Sequence, residues 1–248
     1  NPYVTGVEQI DNGEGRPGLL TVYKEVFDNV FIAGNVLKNN GYSYYYEKYC
    51  NVENETDSNF GINQGTKINP KIHSSNTWAE SDFIDNTYYV QTKNITNQIP
   101  RTTKTGWVIN AQGYKSTITN LPAIDTITEN SAVVGLLSTR SSISFGSGVG
   151  SDGAAIVKEN YGFVFACGSS GKISGFTVAS IVLNNFGVVN GCFSISDIIA
   201  GNSNSGTGGG IVARNGLESS PNLIGNIFSC YYTGTLSPGG NGAIISGI

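Results

Sequence analysis

Apolar residues in the second half of this chain fall in pairs and triplets between glycines and small polar residues, at a fixed spacing. With Gly162, Gly187 and Gly225 as origins, Val164, Val189 and Ile227 stand two positions on. Cys167, Cys192 and Cys230 stand five on, and Ile173, Ile198 and Leu236 eleven on. Ile156-Val157 and Ile181-Val182 lie six and five positions before the first two origins. Ile211-Val212 continues that column once two insertions are allowed, five residues in the stretch GNSNSGTGG and eight in the polar excursion that follows Val212. The step from Gly187 to Gly225 is 38 residues against 25 between the first two origins, and the excess of 13 is the sum of those insertions. Insertions confined to two points, with the apolar columns undisturbed downstream, mark loops leaving a stacked coil.

A unit this short cannot bury its apolar side alone, so like residues must stack on like residues in the next turn of the chain. The runs between glycines, such as 162–167 and 226–230, are short and rich in β-formers, and glycine recurs too often for a helix of ten residues. The pattern therefore predicts a mainly β protein, a parallel right-handed β-solenoid over residues 105–248, with an N-terminal mixed cap or accessory region over residues 1–104. Upstream, Trp107-Val108 stands six and five before Gly113, with Ile118 and Ile124 five and eleven after it, so a coil of the same plan is expected to open near residue 105. Val133-Val134 is expected to open the next. Gly162, Gly187 and Gly225 are expected at coil corners, and Cys167, Cys192 and Cys230 form the structural column, read as buried free thiols.

In the first region Leu19, Val22-Tyr23, Val26, Val30, Ala33 and Leu37 follow Pro17 at helical spacing, which suits an amphipathic helix capping the solenoid; the valines and Phe31-Ile32 equally suit a buried strand. Residues 41–49 hold five tyrosines, and Tyr44, Tyr45 and Tyr46 are candidate contact residues, against the alternative of a half-buried strand.

Composition sharpens this picture. Charged residues are 13% of the 248 and glycine numbers 33, which excludes a charged helical bundle. A net charge of −4 offers no basic footprint, so no nucleic-acid partner is expected. No apolar run reaches the roughly 18 residues of a spanning helix. Residues 131–248 carry 23 of the glycines and only 8 charges, four of each sign.

The repeats GAAIVKENYGFVFACGSSGKISG (153–175), ASIVLNNFGVVNGCFSISDIIAG (179–201) and GGIVARN (209–215), continued by GNIFSCYYTGTLS (225–237), resemble GLUG repeats. The family pattern is approximately GGLVGxNxGxIxNCYxxGxVSG, and Ser229-Cys230-Tyr231-Tyr232-Thr233-Gly234 is its closest piece. The resemblance spans residues 153 to about 248 and implies a secreted or cell-surface protein, an adhesin or the stalk of one.

Candidate chemistry is sparse. The four cysteines form no CxxC pair and His73 is the sole histidine, so no metal site, no cofactor and no His-based nucleophile is expected; His73 is read as an exposed loop residue. A carbohydrate-active β-helix enzyme, a lyase or tail-spike depolymerase, needs carboxylates gathered on one outer face. The columns instead align Glu159 with Asn184 and Lys172 with Asp197, the latter as a surface ion pair. Asn54 and Asn94 open N-glycosylation sequons. The excursion after Val212 is the candidate recognition surface, with Arg214, Asn215 and Glu218 as its binding residues and a glycan as one candidate ligand. The chain ends at Ile248, a few residues into a coil opened by Ile244-Ile245, from which either further sequence, or self-association or a further subunit over that edge, is expected. These observations lead to an expected non-enzymatic extracellular structural or adhesion protein, a surface adhesin or filament subunit, with the β-helix enzyme as the alternative.

Overall fold

The computed structural model describes residues 71–111, 113–201, 206–216, 225–239 and 244–245. Tyr44, Tyr45, Tyr46, Cys50, Asn54, Glu218 and the N-terminal capping stripe lie outside the described residues.

From Lys71 onward the backbone winds as a parallel β-solenoid. The first strands are β1 (Lys71–His73), β2 (Tyr88–Gln91), β3 (Val108–Asn110) and β4 (Ile124–Ile127). Three coils of five strands follow. The first holds β5 (Ala132–Val134), β6 (Leu137–Ser138), β7 (Ser142–Ser144), β8 (Gly153–Ala154) and β9 (Val157–Asn160). The second holds β10 (Phe163–Phe165), β11 (Gly168–Ser169), β12 (Lys172–Gly175), β13 (Val178–Ala179) and β14 (Val182–Asn185). The third holds β15 (Val188–Asn190), β16 (Phe193–Ser194), β17 (Asp197–Ala200), β18 (Thr207–Gly209) and β19 (Val212–Asn215). A further coil contributes β20 (Asn226–Phe228), β21 (Tyr231–Tyr232), β22 (Leu236–Pro238) and β23 (Ile244–Ile245). Corresponding strands pair in parallel to give one seven-stranded sheet, β1-β2-β3-β5-β10-β15-β20, and four sheets of four strands.

The repeat columns are the core columns. Val133, Val164, Val189 and Ile227 stack in register, as do Ile124, Val157, Val182 and Val212, and again Ile143, Ile173, Ile198 and Leu236. All but Ile227 and Leu236, which sit in the last coil, are buried. β-Branched residues suit these sites because a stiff side chain on a pleated strand fills the interior at little conformational cost. The thiols of Cys167, Cys192 and Cys230 follow the same register, free, with the first two buried.

The ladder reaches further upstream than the expected start near residue 105. β1 and β2 belong to the seven-stranded sheet, and Ile95 and Ile99 bridge to Ser116 and Ile124. The register expected for the upstream coil is corrected as well. Val108 pairs with Ala132, which pairs with Phe163, so Trp107 aligns with Gly162 and not with the Ile156 column. Val133 stacks under Val164, and Ile124 and Ile99 take the places expected of Val134 and Val108 beneath Val157. An apolar pair looks alike in either column, and only the pairing of backbones distinguishes them. Gly113 belongs instead to a left-handed corner column with Gly135, Ala166, Gly191 and Ser229, at φ of 82°, 71°, 47°, 62° and 49°. Gly162 and Gly187 are needed for another reason, close approach: a Cβ on Gly187 would run into the carbonyl oxygen of Gly162 in the coil below.

Near the N-terminal end of the stack aromatic rings fill the interior. Trp78, Phe83, Tyr89 and Trp107 are buried, with ring centroids 5.1 Å apart for Trp78–Phe83 and 5.0 Å for Phe83–Trp107. His73 is not an exposed loop residue. It ends β1 and stacks on Trp78 at 3.7 Å, with its side chain only 11% exposed. The Gln91 amide donates to the carbonyls of Ser75 and Lys93, which leaves its oxygen to accept from Trp78 Nε1 and to face His73 Nδ1.

One polar column runs through a corner of the stack. Asn160 Nδ2 donates to Asn185 Oδ1 at 2.8 Å, Asn185 Nδ2 donates to Asn215 Oδ1 at 2.8 Å, and Asn215 Nδ2 donates to the Gly225 carbonyl at 2.9 Å. Asn160 and Asn185 are fully buried. A carboxamide carries both donors and an acceptor, so identical residues one coil apart satisfy each other where water cannot reach.

Replacing Gly187 by alanine is expected to destabilise the fold by about 3 kcal/mol, the upper end for overpacking against backbone that cannot move aside. Gly148→Ala, whose Cβ would find only Ser151 Oγ at 3.8 Å, is expected to stay within about 0.5 kcal/mol. Denaturant titration of the two variants checks the contrast. Asn185→Ala orphans its neighbours in the column and is expected to cost roughly 2–4 kcal/mol. Asn185→Asp buries a carboxyl whose pKa must rise on folding, so its stability is expected to be higher at pH 4 than at pH 7.

Candidate functional site

The excursion after β19 springs from a pinned base. Asn215 closes its mouth through the bond to the Gly225 carbonyl, and the Gly216 N–H donates to the Asn185 carbonyl at 2.8 Å. Arg214 and Asn215, adjacent in the chain and both candidate binding residues, have different surroundings. Asn215 is the last rung of the asparagine column. Arg214 is exposed and reaches back across the outside of the coils. Its Nη2 donates to Asp152 Oδ2 at 2.9 Å and to Thr177 Oγ1 at 3.0 Å, and its Nη1 to Asn184 Oδ1 at 3.4 Å. Asp152 Oδ1 in turn accepts the Thr177 N–H at 3.1 Å. Arg214 thus ties three coils together beside the loop.

Each of the other described aspartates has its own partner. Asp82 accepts the Ala79 N–H at 2.7 Å and lies 3.7 Å from His73 Nε2. Asp85 accepts the Thr105 N–H and faces Lys104 at 3.5 Å; the first bond, more than the lysine, holds its carboxyl below the usual carboxylate range. Asp125 faces Lys158 at 3.4 Å. Lys172 and Asp197 do stand in register, yet the main partner of Asp197 is Thr235, whose hydroxyl and N–H donate to Oδ1 at 2.6 and 3.1 Å. The hydroxyl first, then the N–H, lowers the Asp197 pKa, with Lys172 a lesser influence. Glu159 stands beside Asn184 in the ladder, as the columns predict. Among the described residues no three His, Cys, Asp or Glu side chains converge as a metal site requires. No helix among them is long and apolar enough to cross a membrane.

Buried thiols are poor nucleophiles. Burial, together with the flanking sulfurs of Cys167 and Cys230, pushes the Cys192 thiol well above its ordinary pKa. Arg140 has no carboxylate partner among the described residues: Nη2 donates to Ser138 Oγ at 2.8 Å, while Nε and Nη1 are buried without a hydrogen bond. Burial lowers its pKa to about 10. Asn94, the sequon residue within the described structure, is exposed and accepts the Lys115 N–H through Oδ1 at 2.9 Å.

The sequence reading missed the groups that hold Arg214. Asp152 and Thr177 lie 62 and 37 residues from Arg214, with no local signal. The asparagine column did leave one: Asn160 and Asn185 both stand two positions before their origin glycines. Compared with known proteins, the chain matches no family model, no curated protein and no solved structure.

The Asp197 carboxylate adds stability above its unfolded-state pKa, and that contribution disappears as pH falls through its lower folded-state value. Thr235→Val is therefore expected to lower the melting temperature slightly at pH 7, with the gap to the parent closing below about pH 3.8. A gap that stays constant from pH 7 to pH 3 would separate the Thr235 effect from the carboxylate.

Proposed function

We propose that this protein is an extracellular structural or adhesive scaffold, a surface adhesin or filament subunit, in which the coil stack supplies stiffness and the loop after β19 makes contact with a partner. The observation that carries the reading is the base of that loop. Arg214 spends its donors on Asp152, Thr177 and Asn184, and Asn215 on Gly225, so these two side chains hold the platform and the contacts fall to residues further out. Glu218 is the charged residue there. A loop on a rigid base has less freedom to lose on binding, which favours recognition by a repeat scaffold. The GLUG-like repeats point to the cell surface. Single pairing of the Asp82, Asp85, Asp125, Asp152 and Asp197 carboxylates supports a binding role over glycan cleavage, which needs two carboxyl groups facing one bond.

Antibodies against the purified chain are expected to label intact cells of its source, and replacing residues 217–224 by a glycine-serine linker of equal length should cut attachment of chain-coated beads to those cells' natural surfaces at least tenfold with the melting temperature unchanged. Turnover of acidic polysaccharides, seen as rising ultraviolet absorbance, would overturn the reading in favour of a β-helix enzyme.

A further inference from the structure

The interior thiol column has a geometry of its own. Cys167, Cys192 and Cys230 stand one residue before Gly168, Phe193 and Tyr231, which pair in register through β11, β16 and β21. Each sulfur makes the same bond within its own coil. Sγ donates to the carbonyl two residues back, that of Phe165 at 3.3 Å, of Asn190 at 3.5 Å and of Phe228 at 3.2 Å. A contact with the preceding coil repeats as well, from Cys192 Sγ to the Val164 carbonyl at 3.6 Å and from Cys230 Sγ to the Val189 carbonyl at 3.8 Å. Identical contacts fix identical side-chain directions, so the sulfurs repeat with the strands, in line and about 4.8 Å apart. The two outer ones are then about 9.6 Å apart, and no point lies within bonding reach of all three. That agrees with the absence of a three-ligand cluster among the described residues. A two-coordinate ion asks for less. Two metal–sulfur bonds of about 2.3 Å laid end to end span about 4.6 Å, close to the interval between successive thiols. A disulfide fits less well, because its Cβ atoms lie only about 3.8 Å apart.

We propose that Cys192 and one neighbouring thiol of the column bind a single soft, two-coordinate d10 cation of the mercuric class, as a linear bridge between adjacent coils. Thiolates select soft ions. Charge decides within the class, since Val164, Val189 and Ile227 pack around the sulfurs and an uncompensated charge among them is costly. With Hg(II), two Hg–S bonds form as two S–H bonds break, both protons leave to solvent, no oxidation state changes, and the bridge is neutral. A monovalent ion held by two thiolates would leave a negative charge in the interior. Zinc takes four ligands and finds two. Burial keeps the Cys192 thiol protonated, so the metal must displace that proton on binding. Cys230 is half-buried while Cys167 and Cys192 are buried, which makes the gap between Cys192 and Cys230 the point of entry. A thiolate shared by two ions bends between them, whereas these three sulfurs lie in line. Cys192 therefore serves one gap at a time, and the column holds one ion.

The test uses the full chain carrying Cys50→Ser, which removes the thiol outside the described residues. The reduced protein is equilibrated under argon with mercuric chloride in excess 2-mercaptoethanol and weighed by native mass spectrometry. A paired site outcompetes the monothiol because its second bond is intramolecular. One mercury per chain is expected, and it is expected to persist in Cys167→Ser and in Cys230→Ser, each of which keeps one adjacent pair. Cys192→Ser keeps two thiols but no adjacent pair, and its retained mercury is expected to fall at least tenfold. Should a buried hydroxyl prevent folding, the three alanine variants read the same pattern, with unchanged circular dichroism marking the folded ones. Two ions per chain, none, or full retention by the Cys192 variant would overturn the proposal. Displacement of the ion by equimolar zinc would overturn it too. Cell attachment is not part of this readout, so the result stands apart from the adhesive reading.

Discussion

Parallel strands that pair with their own counterparts one coil away hold like positions about 4.8 Å apart, and every other feature of this molecule answers to that spacing. An interior position cannot be chosen coil by coil, because its neighbours above and below are its packing environment. Valine on valine and isoleucine on isoleucine fill the columns through Val164 and Ile173. The asparagine column succeeds because asparagine is complementary to itself. Thiols stack for a related reason, being small, apolar enough to bury, and weak donors that find the carbonyls of Phe165, Asn190 and Phe228.

The same rule separates rigid from variable parts. Residues can be added between strands without disturbing the columns, which is why β19 and β20 remain in register with β14 and β15 across the eight undescribed positions between them. Such a loop can change its contacts while its base stays fixed. Faces diverge in the same way, since outward residues are free of the interior columns. One wall has become apolar, and others carry serines, lysines and isolated ion pairs.

Legibility in the sequence followed from how often a column repeats and how distinct its residue is. Three origins with glycine, cysteine and branched aliphatic columns were enough to set the register from Gly162 on. Upstream, shorter steps of 20 residues from Tyr88 to Val108 and 24 from Val108 to Ala132, with aromatic residues inside, removed the markers, and Trp107-Val108 was assigned to the wrong column. His73 looked solvated because its neighbours in the chain are polar, whereas its neighbours in space are Trp78 and Gln91.

Periodicity alone determined that this chain winds into stacked parallel coils and, from Gly162 on, which apolar residues and thiols line the interior, because a repeat writes its packing into the local order of residues. Tertiary structure decided the rest. Arg214 could be read as a free recognition side chain until Asp152, from another coil, was found to hold it, and Asp197 as the ion partner of Lys172 until Thr235 was found to hold it. Both depend on groups brought together across the fold, and a spacing rule within the chain carries no record of them.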